Sequence, residues 1–180
     1  CEEFGMKFVL ETAPDPTSDV GVAGAQAYIL EKVPEWVEKY GTKAAYFCTN
    51  DAHTEPLLKR LLECGGYFIE ADLPSPLMGY PGALGLDLTE EAGDFEKILA
   101  KVEAAINEKG GADRFGTWAY SYGYTVSAGL AEHAKNVIQG ESELCDIDDI
   151  AKAYQVFSPK AESNGSNYKN ADTRVKMDKL

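Results

Sequence analysis

Four side chains that carry chemistry crowd into the stretch AAYFCTNDAHTEPLL (residues 44–58): Cys48, Asp51, His53 and Glu55. A thiol, an imidazole and two carboxylates are zinc-ligand types, and a zinc site needs four such groups to converge. Asp51 and His53 are two apart and Glu55 two further on, in what reads as a turn entering a helix. Only a tight coil with Cys48 pointing the same way would gather them, so the spacing argues against a metal and leaves ligand contact as the better use. A second constellation is AYSYG (residues 119–123), which differs from the nucleophile elbow G-x-S-x-G only at Ala119. Ser121 would be the nucleophile and would need a histidine as base. His133 lies on the helix that follows, about 18 Å away at about 1.5 Å rise per residue. His53 precedes Ser121 in the chain, against the usual hydrolase order. No G-x-G-x-x-G follows the first apolar run and no Walker A sequence occurs, so no nucleotide cofactor is expected.

The elements that must position these groups alternate along the chain. KFVLETA (residues 7–13) reads as a strand stopped by PDPTSD, and KAAYFCT (residues 43–49) as a second. YFIEAD (residues 67–72) and ADRFGTWAY (residues 112–120) read as a third and fourth. Between them, Val22, Ile29, Val33, Trp36, Val37 and Tyr40 recur at helical spacing, with Pro34 marking a kink or a second start. Leu57, Leu58, Leu61 and Leu62 form a second helical face, capped by Asp51 or Thr54. Further helices run from Phe95 to Ile106, from Tyr122 to Ile138 and through Ile150 to Phe157. This order predicts an α/β fold, three layers αβα around a mostly parallel sheet. The long Pro- and Gly-rich segment from Leu73 to Asp94 is expected to be a functional loop.

In such a sheet the carboxyl ends of the strands share one edge, where ligands bind. Four strand exits would bring Asp15, Asn50, Asp51, His53, Asp72, Trp118, Tyr120, Ser121 and Tyr122 to that rim. Aromatic faces beside amide and carboxylate groups suit a small polar organic molecule.

Composition narrows the partners. The 180 residues carry 17 basic and 30 acidic side chains, a net charge of −13, and no dense basic cluster, which disfavours nucleic acid. No run of about eighteen apolar residues marks a membrane span. The four cysteines are widely spaced, without a CxxC pair, and read as free thiols. The opening CEEFGMKFVLETAPDP reads as a helix end, a glycine stop and a buried strand, an expectation that further chain lies upstream.

Three motifs, KYGTKAAYFCTNDAHTEPLLKRLLECGG, LPSPLMGYPGALGLDL and RFGTW, resemble an uncharacterised bacterial family common in Firmicutes, itself similar to type I periplasmic solute-binding proteins. The resemblance implies two α/β lobes closing on a ligand. Residues 1–19 would then be a helix end, strand and crossover from an upstream lobe, 20–138 the ligand-binding lobe, and 139–180 an acidic helix and polar tail leading back. It also implies a non-enzymatic receptor for a small polar ligand in uptake or sensing, with membrane transporter components as partners and an extracytoplasmic or membrane-anchored place if a signal precedes the chain. Ligand contacts would come from Asp15, Asn50, Asp51, His53, Trp118, Tyr120, Ser121 and Tyr122. The alternatives are a serine hydrolase using Ser121 and the ligand-sensing lobe of a transcriptional regulator.

Overall fold

In the computed structural model, which describes residues 1–71, 75–118 and 120–159, the periodic segments become helices. α1 spans Gly21–Tyr40 and buries Ala25, Ile29, Val33 and Val37, one face at spacings of four, with Pro34 accommodated inside a single helix. Gly41 ends it with φ 85°, a conformation open to glycine. α2 (Thr54–Cys64) buries Leu57, Leu58 and Leu61. α3 (Tyr80–Leu84) is a short helix within the expected loop, and α4 (Phe95–Glu108) begins where Asp94 accepts the Lys97 N–H at 3.1 Å. α5 (Tyr122–Gln139) and α6 (Ile147–Val156) start on the side chains of Ser121 and Asp146.

The sheet departs from expectation. Among the described residues it has two parallel strands of two residues, β1 (Ala45–Tyr46) and β2 (Tyr67–Phe68), in the register Ala45 with Tyr67 and Tyr46 with Phe68. One isolated parallel bridge joins Phe68 to Phe115. The expected three-layer α/β sandwich is therefore corrected to a predominantly helical fold with a minimal parallel ribbon. The physical reasons are local. Among the described residues, 7–13 find no strand to pair with, and Phe8 and Leu10 remain 68% and 74% exposed. A β-prone run becomes a strand only when a neighbouring strand takes its peptide groups. The fourth run shrinks to one bridge because Asp113 turns the chain with φ 60° and Gly116 is pressed against the Ile69 carbonyl, where any side chain would collide.

The described residues divide into two compact units. The first takes those of Cys1–Asp72 and Leu77–Thr117, and the second those of Leu73–Pro76 and Trp118–Leu180. In the first, α1 packs on α2, α2 on α3 and α3 on α4 around Ile29, Val33, Leu57, Leu58, Leu61, Phe68, Tyr80, Val102 and Ile106. Phe68 is 2% exposed, its ring edge-on to Tyr80 at 5.9 Å and stacked with Phe115 at 6.4 Å. Tyr80 Oη donates to the Gly116 carbonyl at 2.6 Å, and burial pushes its phenol well above the usual tyrosine range. In the second, α5 packs on α6 with Gly129 against the Tyr154 ring, too close for a side chain.

These contacts set an order of costs. Phe68→Ala should lower the unfolding free energy by about 3–5 kcal/mol through loss of burial and the cavity left behind. Tyr80→Phe, which removes only the bond to Gly116, should cost about 1 kcal/mol. Urea denaturation followed by circular dichroism checks both the values and their order.

Candidate functional site

The AAYFCTNDAHTEPLL groups separate once β1 ends at Tyr46. Cys48 is half-buried against the first unit's core. Asn50 holds an extended backbone (φ −143°, ψ 129°), and a 3-10 turn over Asp51–His53 then feeds α2. The cap of that turn is Asn50, whose Oδ1 accepts the Ala52 N–H at 3.0 Å, and α2, expected to be capped by Asp51 or Thr54, starts after His53 without a side-chain cap. Its Nδ2 donors and the exposed Asp51 carboxylate make no hydrogen bond to protein among the described residues. The turn thus presents donors and acceptors side by side. Glu55 lies against α3, where its carboxylate occupies the space a side chain at Gly82 would need. Among the described residues, no three His, Cys, Asp or Glu side chains are placed to hold a metal ion.

His53 is 9% exposed and its Nε2–H donates to the Pro14 carbonyl at 3.1 Å. That bond fixes the segment before α1 onto the turn, so His53 is a strut and its Nε2 is already engaged. Two more bonds hold the same segment along α1: Tyr28 Oη to the Thr12 carbonyl at 3.3 Å, and Lys39 to the Glu11 carboxylate at 3.2 Å, which also accepts from Tyr40. Asp15 follows at once, its Oδ1 accepting both the N–H and the hydroxyl of Thr17 at 2.8 Å. The Thr17 N–H first, then its hydroxyl and the nearby His53 imidazole, hold the Asp15 carboxyl below the usual aspartate range. Asp15, Asn50, Asp51 and His53 thus all lie in the first unit, with Asp15 near His53. Thr17 and Pro14 were not anticipated. The D-x-T spacing was the available signal for Thr17, and nothing local signals Pro14.

The remaining expected contacts belong to the second unit. Trp118 and Tyr120 are half-buried, and Tyr122 opens α5 with its ring largely exposed. Ser121 is the N-cap of α5, its Oγ accepting the Tyr124 N–H at 3.4 Å. His133 is buried on the same helix with Nε2 donating to the Leu144 carbonyl at 3.0 Å. Ser121 caps a helix, and the His133 ring is turned to α6's approach rather than to a nucleophile. Ala119 and Asp72 lie outside the described residues.

The lowered carboxyl at Asp15 sets a pH dependence. A group with a depressed folded-state pKa contributes stability that is present above its unfolded value and lost as pH falls through the folded one. The Asp15 contribution should therefore persist above pH 3.8 and disappear below it. Thr17→Val should raise the Asp15 titration midpoint, read by carboxyl carbon NMR.

Comparison with known proteins places this geometry. A crystal structure from Clostridium difficile 630, described as a "Putative transcriptional regulator", superposes with a TM-score of 0.70 over 87% of this chain and 45% of its own, at 23% identity, a likeness of fold. A treponemal protein, described as "Uncharacterized protein" from Treponema pallidum (strain Nichols), is 36% identical over 106 residues, 59% of this chain and 47% of that protein. The chain spans about half the length of the proteins it matches. The expected kinship with type I periplasmic solute-binding proteins is thereby corrected. The solved fold carries a regulator's description, and two strands of two residues replace the multi-stranded sheet of a solute-binding lobe. The uptake role, the transporter partners and the extracytoplasmic place rested on that kinship and fall with it. Among the described residues, no helix is long and apolar enough to cross a membrane. A second family model matches residues 127–180, and the model described as "Protein of unknown function (DUF3798)" matches residues 1–116, so the chain belongs to the DUF3798 family.

Proposed function

We propose that this chain is the ligand-sensing part of a regulatory protein, binding a small polar molecule without chemical conversion. The observation that carries this reading is the fold shared over 87% of the chain with a protein described as a "Putative transcriptional regulator". The residues agree with it. Asn50 and Asp51 offer unengaged donors and acceptors on a turn braced by His53 and Pro14, and Asp15 adds an anionic acceptor near His53. A ligand bearing both hydroxyl or amide donors and acceptors matches that set. Regulation in this reading is a shift between conformations that differ in their affinity for the ligand.

A fluorescence titration tests the reading. With Trp118→Phe, Trp36 of α1, in the same unit as the turn, is the only indole in the chain. Titration with nucleosides, amino acids, sugars and short peptides should give a saturable emission change for one class. Asn50→Ala with Asp51→Ala should weaken it by about tenfold or more, the value of one or two lost polar contacts. No response across the panel overturns the reading. Ester turnover that disappears in Ser121→Ala would make Ser121 a nucleophile and overturn it too.

A further inference from the structure

Every residue from Cys1 to Thr12 is exposed, and the stretch from Met6 to Asp15 runs without helix, turn or bend. Exposure alternates along it as along a strand: Met6, Phe8 and Leu10 are 55%, 68% and 74% exposed, and Val9 between them 39%. Two ties hold one end of the stretch to α1. Glu11 accepts from Lys39 and Tyr40, and the Thr12 carbonyl accepts from Tyr28. Met6, Phe8 and Leu10 therefore form an apolar row on the side opposite Glu11, facing solvent. Among the described residues, the peptide groups of Lys7 to Leu10 make no hydrogen bond to protein and Lys7 forms no ion pair. An apolar row beside unpaired peptide groups is a template for another strand.

A second copy of this chain carries a strand that fits. In a chain of net charge −13, self-association needs a register that keeps acid from acid. Met6 to Thr12 contains one cation, Lys7, and one acid, Glu11. An antiparallel pair with Val9 opposite Val9 on a twofold axis sets Phe8 opposite Leu10 and Met6 opposite Thr12 on one face, and Lys7 opposite Glu11 on the other. Symmetry repeats each match, so both charges are answered twice. A slip of one residue would turn the apolar row of one copy to the charged side of the other. Centring the pair on Phe8 or Leu10 would set Lys7 or Glu11 opposite Val9 and leave both charges unmatched. Glu11 can take the extra cation because Lys39 and Tyr40 both bond its Oε1, which leaves Oε2 for a second donor.

We propose that Met6 to Thr12 is the contact strand of a homodimer, paired antiparallel with the same segment of a second copy. Phe8 of each copy packs on the other's Leu10, and Lys7 of each reaches the other's Glu11. None of these residues belongs to the Asn50 and Asp51 turn, so this interface and the sensing reading stand or fall separately. Sedimentation equilibrium of the full chain tests it and should give the mass of two chains at submillimolar concentration. Phe8→Glu and Leu10→Lys, each at a solvent-facing position, should each weaken the dimer by about tenfold or more. Lys7→Glu, which breaks no bond within the described residues, should weaken it too. Mixing the Phe8→Glu chain with the Leu10→Lys chain should recover a mixed dimer, identified by native mass spectrometry, because the register sets the two new charges opposite each other. A chain that stays monomeric, a dimer indifferent to Phe8→Glu, or a mixture that forms no mixed dimer would overturn the proposal.

Discussion

The position of Phe68 is the constraint on which the first unit depends. Its N–H donates to the Arg114 carbonyl at 2.9 Å and its own carbonyl accepts the Gly116 N–H at 3.0 Å, while β2 pairs with β1 on the other side. Its ring meets Tyr80 and Phe115. One residue thus supplies the middle of the parallel ribbon and the centre of the core. A ribbon this short is not stable by itself. It persists because α2 packs on it and Phe68 is buried in one cluster with side chains of α1, α2 and α4, and the turn carrying Asn50 and Asp51 follows β1.

The helices were legible because their signals are local. Apolar residues at three and four spacing, a proline in α1 and glycines or acids at the boundaries identified α1, α2, α4, α5 and α6 to within a few residues. Of the strands read from the sequence, KAAYFCT and YFIEAD survive only as the two-residue parallel pair β1 and β2, and the other two do not form strands among the described residues. KFVLETA has the composition of buried β-structure, but pairing is a non-local property: it joins no strand among the described residues, and Phe8 and Leu10 stay largely exposed. The long segment from Leu73 also misled, because Tyr80 reads as a loop aromatic until its hydroxyl finds Gly116, 36 residues away. The candidate site divided in the same way. Asn50, Asp51 and His53 share one short turn that their spacing alone suggests, whereas the bond from His53 to Pro14 spans 39 residues and leaves no trace in the local sequence.

Charge placement follows a related logic. The spacing of Glu55, Lys59 and Glu63 on α2 predicts surface ion pairs, each worth a fraction of a kcal/mol. Packing of α3 draws Glu55 away, and Arg60, with its Nε on the Leu30 carbonyl at 2.8 Å, takes Glu63. The local Arg60–Glu63 pair, with Arg60 anchored on Leu30, is made in place of one from Lys59, which has no ion pair among the described residues. The surface electrostatics of a strongly acidic chain are therefore set by which acids the fold diverts.

Arg114 gives this organisation a dynamic meaning. Its guanidinium holds the last turn of α2, the glycine pair before β2 and the glycine that ends α4 through three carbonyls. Helix ends ordinarily fray independently, and their amides exchange with solvent ahead of the helix centres. Here neither end can open without breaking bonds to the same planar group. The exits of α2 and α4 should thus exchange their protons as one cooperative unit, much later than terminal turns of helices of their length.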